Sequence, residues 1–176
     1  MGEYVKNISK SNIRGVDILI LIALGTQDKQ FYRLLEAVQK QIDAGKIKDE
    51  VIVQAGCSSK FKSKNMKIFD LIPMDEFDKL IKNCDVLITH GGVATIITGL
   101  KYNKKVIAAP RLKKYKEHVN DHQLQIIESF AKLGYILPLY NFDELDKVIE
   151  ESKSFKPKKY KSNTENFLKL LKSIIN

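Results

Sequence analysis

The sequence predicts an α/β fold, a Rossmann-like parallel sheet with helices on both faces. Three observations carry that prediction. Short apolar runs at Ile18–Leu24, Val51–Val53, Val86–Ile88 and Val106–Ala109 each give way to a turn, marked by Gly25, Gly56, Gly91 or Pro110. The runs are apolar at nearly every position instead of alternating, which suits parallel strands covered on both faces. Between them stand stretches with helical spacing: Phe31, Leu34, Leu35, Val38 and Ile42; Phe77, Leu80, Ile81 and Cys84; Ile96, Ile97 and Leu100. At 176 residues and 44% hydrophobic content, the chain fits one domain with a substantial core.

Taken in order, residues 1–17 are polar and without periodicity and read as an N-terminal arm. Lys6, Lys10 and Arg14 ahead of the first apolar run imitate a signal peptide. No small-residue cleavage site follows, however, and the run is far short of a membrane span. It reads instead as a central strand, with Gly25-Thr26-Gln27 as its strand-to-helix turn and Gly45 ending the helix that follows. A basic loop at Lys60–Lys67 precedes a third strand at Lys67–Ile72, and Pro73-Met74-Asp75 opens the next helix. Gly134–Leu137 reads as the last strand, and Leu145, Val148 and Ile149 mark a further helix. A basic linker leads to an amphipathic helix over 162–176, opened by the capping box Ser162-Asn163-Thr164-Glu165. The α/β domain proper is therefore expected over 18–161.

The net charge of +9 suits a polyanionic partner: nucleic acid, an anionic membrane or a phosphorylated substrate. Scattered lysines on a solvated surface explain such a charge equally simply. A nucleic-acid module is disfavoured, because interleaved aromatics, a helix-turn-helix pattern and an RNA-recognition motif are all missing. Cys57 and Cys84 lack metal spacing, and no local base would activate Cys57 as a nucleophile.

Candidate chemistry concentrates between Asp85 and Gln123, which hold all three histidines. Gly91 and Gly92 allow backbone N–H groups to approach a ligand, and the helix beginning after them favours negative charge. Beyond Pro110, a loop bearing Arg111, Lys113, Lys114, Lys116, His118, Asn120, His122 and Gln123 crowds the neighbouring strand end. A phosphate or diphosphate is the natural guest, since parallel sheets bind ligands at that edge. Neither G-x-G-x-x-G nor G-K-[ST] occurs, so dinucleotide and P-loop readings lack support. His118 and His122 stand four apart and would share a face if helical. Without the Glu of H-E-x-x-H or a third ligand, a metal site is not expected. An Asp-x-Asp pair is also lacking, which leaves a diphosphate to backbone N–H groups, a helix dipole and basic side chains.

Thr89-His90-Gly91-Gly92, Gly99-Leu100, Pro110-Arg111 and Glu117-His118-Val119-Asn120-Asp121-His122-Gln123 together resemble the nucleotide-sugar-binding half of a family of two-domain, GT-B glycosyltransferases. That family includes the lipid II-forming N-acetylglucosamine transferase. The similarity runs from about Ile18 to Leu139 and is greatest to stand-alone versions of the half: the small subunit of the dolichol-linked N-acetylglucosamine transferase and bacterial relatives in capsule and exopolysaccharide synthesis. Two such domains need more than about 250 residues, so this chain would hold only the donor half. The resemblance implies a UDP-sugar donor, with UDP-galactose or UDP-N-acetylglucosamine foremost, and neither metal nor cofactor. It implies a membrane-anchored partner subunit that presents a lipid-linked saccharide acceptor and supplies the catalytic base. It also implies a cytoplasmic, peripheral location and no nucleic-acid ligand.

By the same resemblance, Gly25, Thr26, Gln27, His90, Gly91, Gly92, Thr95, Arg111, His118, Asn120 and Asp121 surround the donor, while His122 and Gln123 meet its sugar and phosphate. Met74 either faces the uracil ring or packs in the core. Where the lipid II-forming enzyme has a ribose-binding glutamate this chain has Thr98, so either Thr98 takes the ribose or Glu117 substitutes. Two further readings stay open: a non-catalytic enhancer subunit, and an epimerase of the same fold, which would need both domains in one chain.

Overall fold

The computed structural model describes residues 18–161. The expected arm and the expected helix over 162–176 lie outside the described residues. The six strands are β1 (Leu19–Ala23), β2 (Glu50–Gln54), β3 (Met66–Phe69), β4 (Val86–His90), β5 (Lys105–Ala109) and β6 (Leu137–Pro138). The helices are α1 (Tyr32–Asp43), α2 (Met74–Asn83), α3 (Val93–Lys101), α4 (His122–Lys132) and α5 (Leu145–Ser154). All strand pairs are parallel, in the order β3-β2-β1-β4-β5-β6. The order reverses between β1 and β4, making that gap the switch point of a doubly wound sheet.

The apolar runs become strands because both faces of the sheet are covered. Along β1, Ile20 and Ile22 point into the layer with α1 and α5, where Phe31, Leu34, Leu35, Leu145 and Ile149 pack. Leu19, Leu21 and Ala23 point the other way, toward Leu80 and Ile81 of α2, Ile96 and Leu100 of α3 and Ile127 of α4. The period of two along a strand sends neighbours to opposite layers, so a run apolar throughout fills both cores. Gly45, at φ +68°, closes α1 as expected.

Two boundaries differ from the sequence expectation. The last strand starts at Leu137, because Gly134 and Tyr135 donate back to Ala131 and Phe130 and complete the end of α4. The third strand is Met66–Phe69. Among the described residues no helix is long and apolar enough to cross a membrane.

Leu34 is fully buried in the α1 layer, whereas Leu133 is 55% exposed after α4. Leu34→Ala should lower the unfolding free energy by about 2–5 kcal/mol, and Leu133→Ala by about 0.5 kcal/mol or less. Chemical denaturation of both variants checks the assignment, and equal losses would contradict it.

Candidate functional site at the carboxyl edge of the sheet

The carboxyl ends of β1 and β4 lie side by side, Ala23 opposite Thr89. The turn after β1 leads to α1 on one face, and the turn after β4 leads to α3 on the other. The two turns therefore part around an open edge, with the imidazole of His90 between them.

Gly25 adopts φ +75°, and a Cβ there would stand 2.6 Å from His90 Cε1. A Cβ on Gly92 would stand 2.4 Å from His90 Nε2. Both glycines are thus required by the chain's own imidazole. His90 Nδ1 lies 3.4 Å from the Ala23 carbonyl. A carbonyl only accepts, so Nδ1 carries the proton and Nε2 keeps its lone pair. Burial lowers the His90 pKa to about 4, helped by the charges of Arg111 and His118 and opposed by the bond to Ala23. The ring is neutral at pH 7. Thr89, fully buried, donates its hydroxyl to the same Ala23 carbonyl at 2.9 Å.

Arg111 departs most from expectation. It is 1% exposed, and its guanidinium donates to the carbonyls of Leu24 (2.7 Å), Lys29 (2.7 Å), Gln30 (3.2 Å) and Glu117 (3.4 Å). Its Nε is buried without a partner among the described residues, and its guanidinium carbon lies 4.9 Å from the Phe31 ring centroid. Desolvation lowers its pKa to about 10, leaving it charged at neutral pH. The expected direct contact with a diphosphate is therefore replaced by a brace that holds the β1–α1 loop to the loop after β5.

Glu117 is likewise withdrawn from ligand contact. Its carboxylate is buried and accepts from Arg33 Nε (3.0 Å), Arg33 Nη2 (2.8 Å) and the Leu112 N–H (3.0 Å). Both oxygens are engaged, so Glu117 does not replace the missing ribose glutamate. Arg33 donates also to the Pro110 carbonyl at 3.0 Å and lies 4.1 and 4.5 Å from the Phe142 and Tyr115 ring centroids. Arg33 was not anticipated, since its partner is 84 residues away. An arginine on the edge of an amphipathic helix gives no local sign of such a pair.

Gln123, buried in the first turn of α4, accepts at Oε1 from the Gly91 N–H (3.2 Å) and the Arg111 N–H (3.0 Å). It ties the glycine turn to the β5 loop, which leaves its amide nitrogen as the group available to a ligand. Asp121 accepts from the Lys113 N–H, and Asn120 Oδ1 from the His122 N–H, so these two shape the loop. His118 lies in that loop and bonds Asn120, while exposed His122 begins α4, so the two do not share a helical face. The helix α4 itself was not anticipated, although Ile126, Ile127, Phe130 and Ala131 carry its buried stripe.

Among the described residues the α3 N-terminus has no side-chain cap; its first turn holds no acidic residue, and Thr95 lies in that turn. Thr98 donates back to the Ala94 carbonyl at 2.9 Å. Thr26 is exposed, with Gln27 half-buried beside it. Met74 begins α2 and is 79% exposed, which excludes the core reading.

A doubly wound parallel sheet whose glycine turns meet at the switch point defines a Rossmann-like domain of the kind found as the C-terminal half of GT-B glycosyltransferases. Residues 19–176 match the glycosyltransferase family 28 C-terminal domain, and the chain belongs to that family. It is 29% identical over 100 residues to the UDP-N-acetylglucosamine transferase subunit ALG13 of Candida albicans, covering 57% of this chain and 32% of that one. The chain thus spans about a third of that curated relative. Among solved structures, the kitacinnamycin glycotransferase aligns at TM-score 0.62 and 22% identity over 81% of this chain and 36% of its own. The solution structure of ALG13 aligns at 0.54 and 20%, covering 89% and 95% of the two chains. MurG of Acinetobacter baumannii aligns at 0.55 and 15%, covering 79% and 43%.

Two measurements probe this edge. His90 titrates near its ordinary 6.5 when unfolded and near 4 when folded, so the folded chain binds fewer protons in that window. Its contribution, up to about 3 kcal/mol, is present above pH 6.5 and lost as pH falls toward 4. The unfolding free energy should fall less steeply over that range in His90→Gln than in the parent chain, and equal slopes would contradict the assignment.

Glu117→Ala strands the Arg33 charge. Because Arg33 is partly solvated, the loss should lie toward the lower end of the roughly 3–5 kcal/mol typical of broken buried pairs. Arg33→Met combined with Glu117→Leu should recover most of it. A harmless single substitution would show that the pair braces nothing.

Proposed function

We propose that the chain is the donor-binding subunit of a two-component inverting glycosyltransferase that uses a UDP-sugar and a lipid-linked saccharide acceptor. One observation carries the reading. In a family 28 C-terminal domain, the α3 N-terminus, uncapped among the described residues, and the Gln123 amide nitrogen stand at one open edge, with the Gly91–Gly92 turn leading into it. The Gly91 and Gly92 N–H groups are taken by Gln123 Oε1 and the His90 carbonyl, so the donors left for a ligand are those of the first turn of α3. Helix N-termini and backbone N–H groups favour a diphosphate without a metal. The exposed position of Met74 supports its backbone facing the uracil ring. Ribose contact falls to Thr98, since Glu117 is occupied.

In the reaction, a hydroxyl of the acceptor sugar attacks the anomeric carbon from the face opposite the diphosphate. The carbon–oxygen bond to UDP breaks, the configuration inverts, and the hydroxyl proton passes to a base on the partner. The N–H groups at the edge receive the charge that develops on the leaving diphosphate. Gln123 Nε2 and His122 are assigned to the donor sugar. UDP-N-acetylglucosamine and UDP-galactose are the preferred donors, the former supported by the likeness to ALG13, a UDP-N-acetylglucosamine transferase subunit. The chain would work at the cytoplasmic face of a membrane, held there by a membrane-anchored partner.

Calorimetry should show UDP binding to the chain alone, with AMP weaker by about tenfold or more. With the partner present, His122→Ala should lower transfer by the equivalent of about 1–3 kcal/mol while the melting temperature stays unchanged. Equal binding of UDP and AMP would contradict a uridine site, and robust transfer by the single purified chain would contradict the two-component reading.

A further inference from the structure

We infer that the cleft walled by Lys29, Lys60 and Lys116 binds a glycosyl diphosphate, the headgroup of the acceptor, next to the donor. The acceptor identity rests on the function proposed above; the cleft itself does not. It has a volume of about 670 Å³ and is also lined by Asp28, Asp70 and Tyr115. Its three lysines come from loops after three different strands, β1, β2 and β5. On the helices, Lys40, Lys79, Lys82, Lys132 and Lys153 each pair with a carboxylate. Among the described residues, none of the three cleft lysines forms an ion pair. Three unpaired ammonium groups around one concavity suit a diphosphate, whose oxygens would take their N–H bonds.

The backbone holds them in place. Lys116 adopts the left-handed conformation at φ +59°, which a non-glycine residue takes at some cost. It is kept there by its N–H bond to Lys113 at 2.8 Å and by the neighbouring Glu117 N–H bond to Leu112 at 3.2 Å. The Lys29 and Gln30 carbonyls are gripped by Arg111. The buried Ser58 hydroxyl accepts from the Phe31 N–H at 2.8 Å, fastening the β2 loop to the start of α1.

The other lining groups narrow the ligand class. Asp28 and Asp70 also lack ion pairs among the described residues, and as acceptor-only groups they call for donors on the ligand beside its phosphates. They suit sugar hydroxyls, which donate to them. Tyr115, 51% exposed, also lines the cleft, with Arg33 and Lys114 at 4.5 and 4.9 Å from its ring centroid. Lysines for a diphosphate and carboxylates for sugar hydroxyls together describe a glycosyl diphosphate. The location is also apt. Gly25-Thr26-Gln27 faces the donor edge, and Asp28-Lys29-Gln30, the next three residues, line the cleft. One braced loop would then set two substrates side by side.

The test uses the full chain saturated with UDP, titrated with inorganic diphosphate and separately with glucose 1-phosphate, with binding followed by calorimetry. Diphosphate should bind the UDP-saturated chain, and Lys60→Gln with Lys116→Gln should weaken it by about tenfold while UDP affinity is unchanged. Asp28→Asn with Asp70→Asn should weaken glucose 1-phosphate and leave diphosphate bound at least as tightly. Lys62→Gln, outside the cleft, should do neither. No diphosphate binding, displacement of UDP by diphosphate, or indifference to the lysine pair would overturn the inference. So would glucose 1-phosphate binding that ignores the aspartates. The same titrations without UDP separate the two readings. Lysine-dependent diphosphate binding in a chain that fails to bind UDP would sustain the cleft and refute the donor site.

Discussion

A guanidinium keeps its charge at neutral pH, and Arg111 carries one to a position that is 1% exposed. A charge taken out of water must be met by fixed dipoles or counter-charges. Here the carbonyls of Leu24, Lys29, Gln30 and Glu117 meet it. Leu24 follows the central strand, Lys29 and Gln30 precede α1, and Glu117 lies beyond β5. Moving either loop away would strand the cation. The shape of the carboxyl edge therefore follows from where Arg111 can be satisfied, and Gln123 extends the tie to the third segment, the Gly91 turn.

That brace has an electrostatic consequence as well as a geometric one. Its positive charge stands behind the two turns and helps keep His90 neutral. It also favours an anion in front of them, because charges interact strongly across a poorly solvated interior. The glycines fit the same scheme. Gly25 and Gly92 leave room for the His90 ring, and the ring in turn fills the gap that two side-chain-free turns would leave. The edge is preorganised, the condition under which oriented N–H groups stabilise developing charge without reorganising.

The architecture was legible because parallel strands buried on both faces leave continuous apolar runs, and those runs are local. Ile18–Leu24 and Val106–Ala109 announce themselves without reference to the rest of the chain. The switch-point turns were legible for the same reason. Arg111 was misread because its neighbours Lys113, Lys114 and Lys116 made it look like one more surface cation. What separates it from them is Ala109-Pro110 before it and Leu112 after it, together with a set of distant carbonyls that no local pattern encodes. Glu117 was misread in the same way, since its partner Arg33 lies on α1. The helix α4 was not legible because its first turn, His122 to Gln125, is polar and continues the polar loop before it, although Ile126, Ile127 and Phe130 have helical spacing. Contacts between residues far apart in sequence are set by packing, which is where reading from composition and spacing stops.

The excess of lysine divides by environment rather than by sequence. Helix lysines such as Lys82 and Lys132 sit one turn from a carboxylate, and their charge is largely answered locally. Loop lysines after β1, β2 and β5 are not answered in that way, and they are the ones the fold gathers at the sheet edge. A buried arginine and exposed lysines then complement each other. The arginine, locked by carbonyls, fixes the backbone and cannot reach a ligand. The lysines, on flexible stems with strongly hydrated heads, can follow a ligand but fix nothing. The edge thus carries both kinds of cation, one that holds the loops still and another that is free to meet an anion.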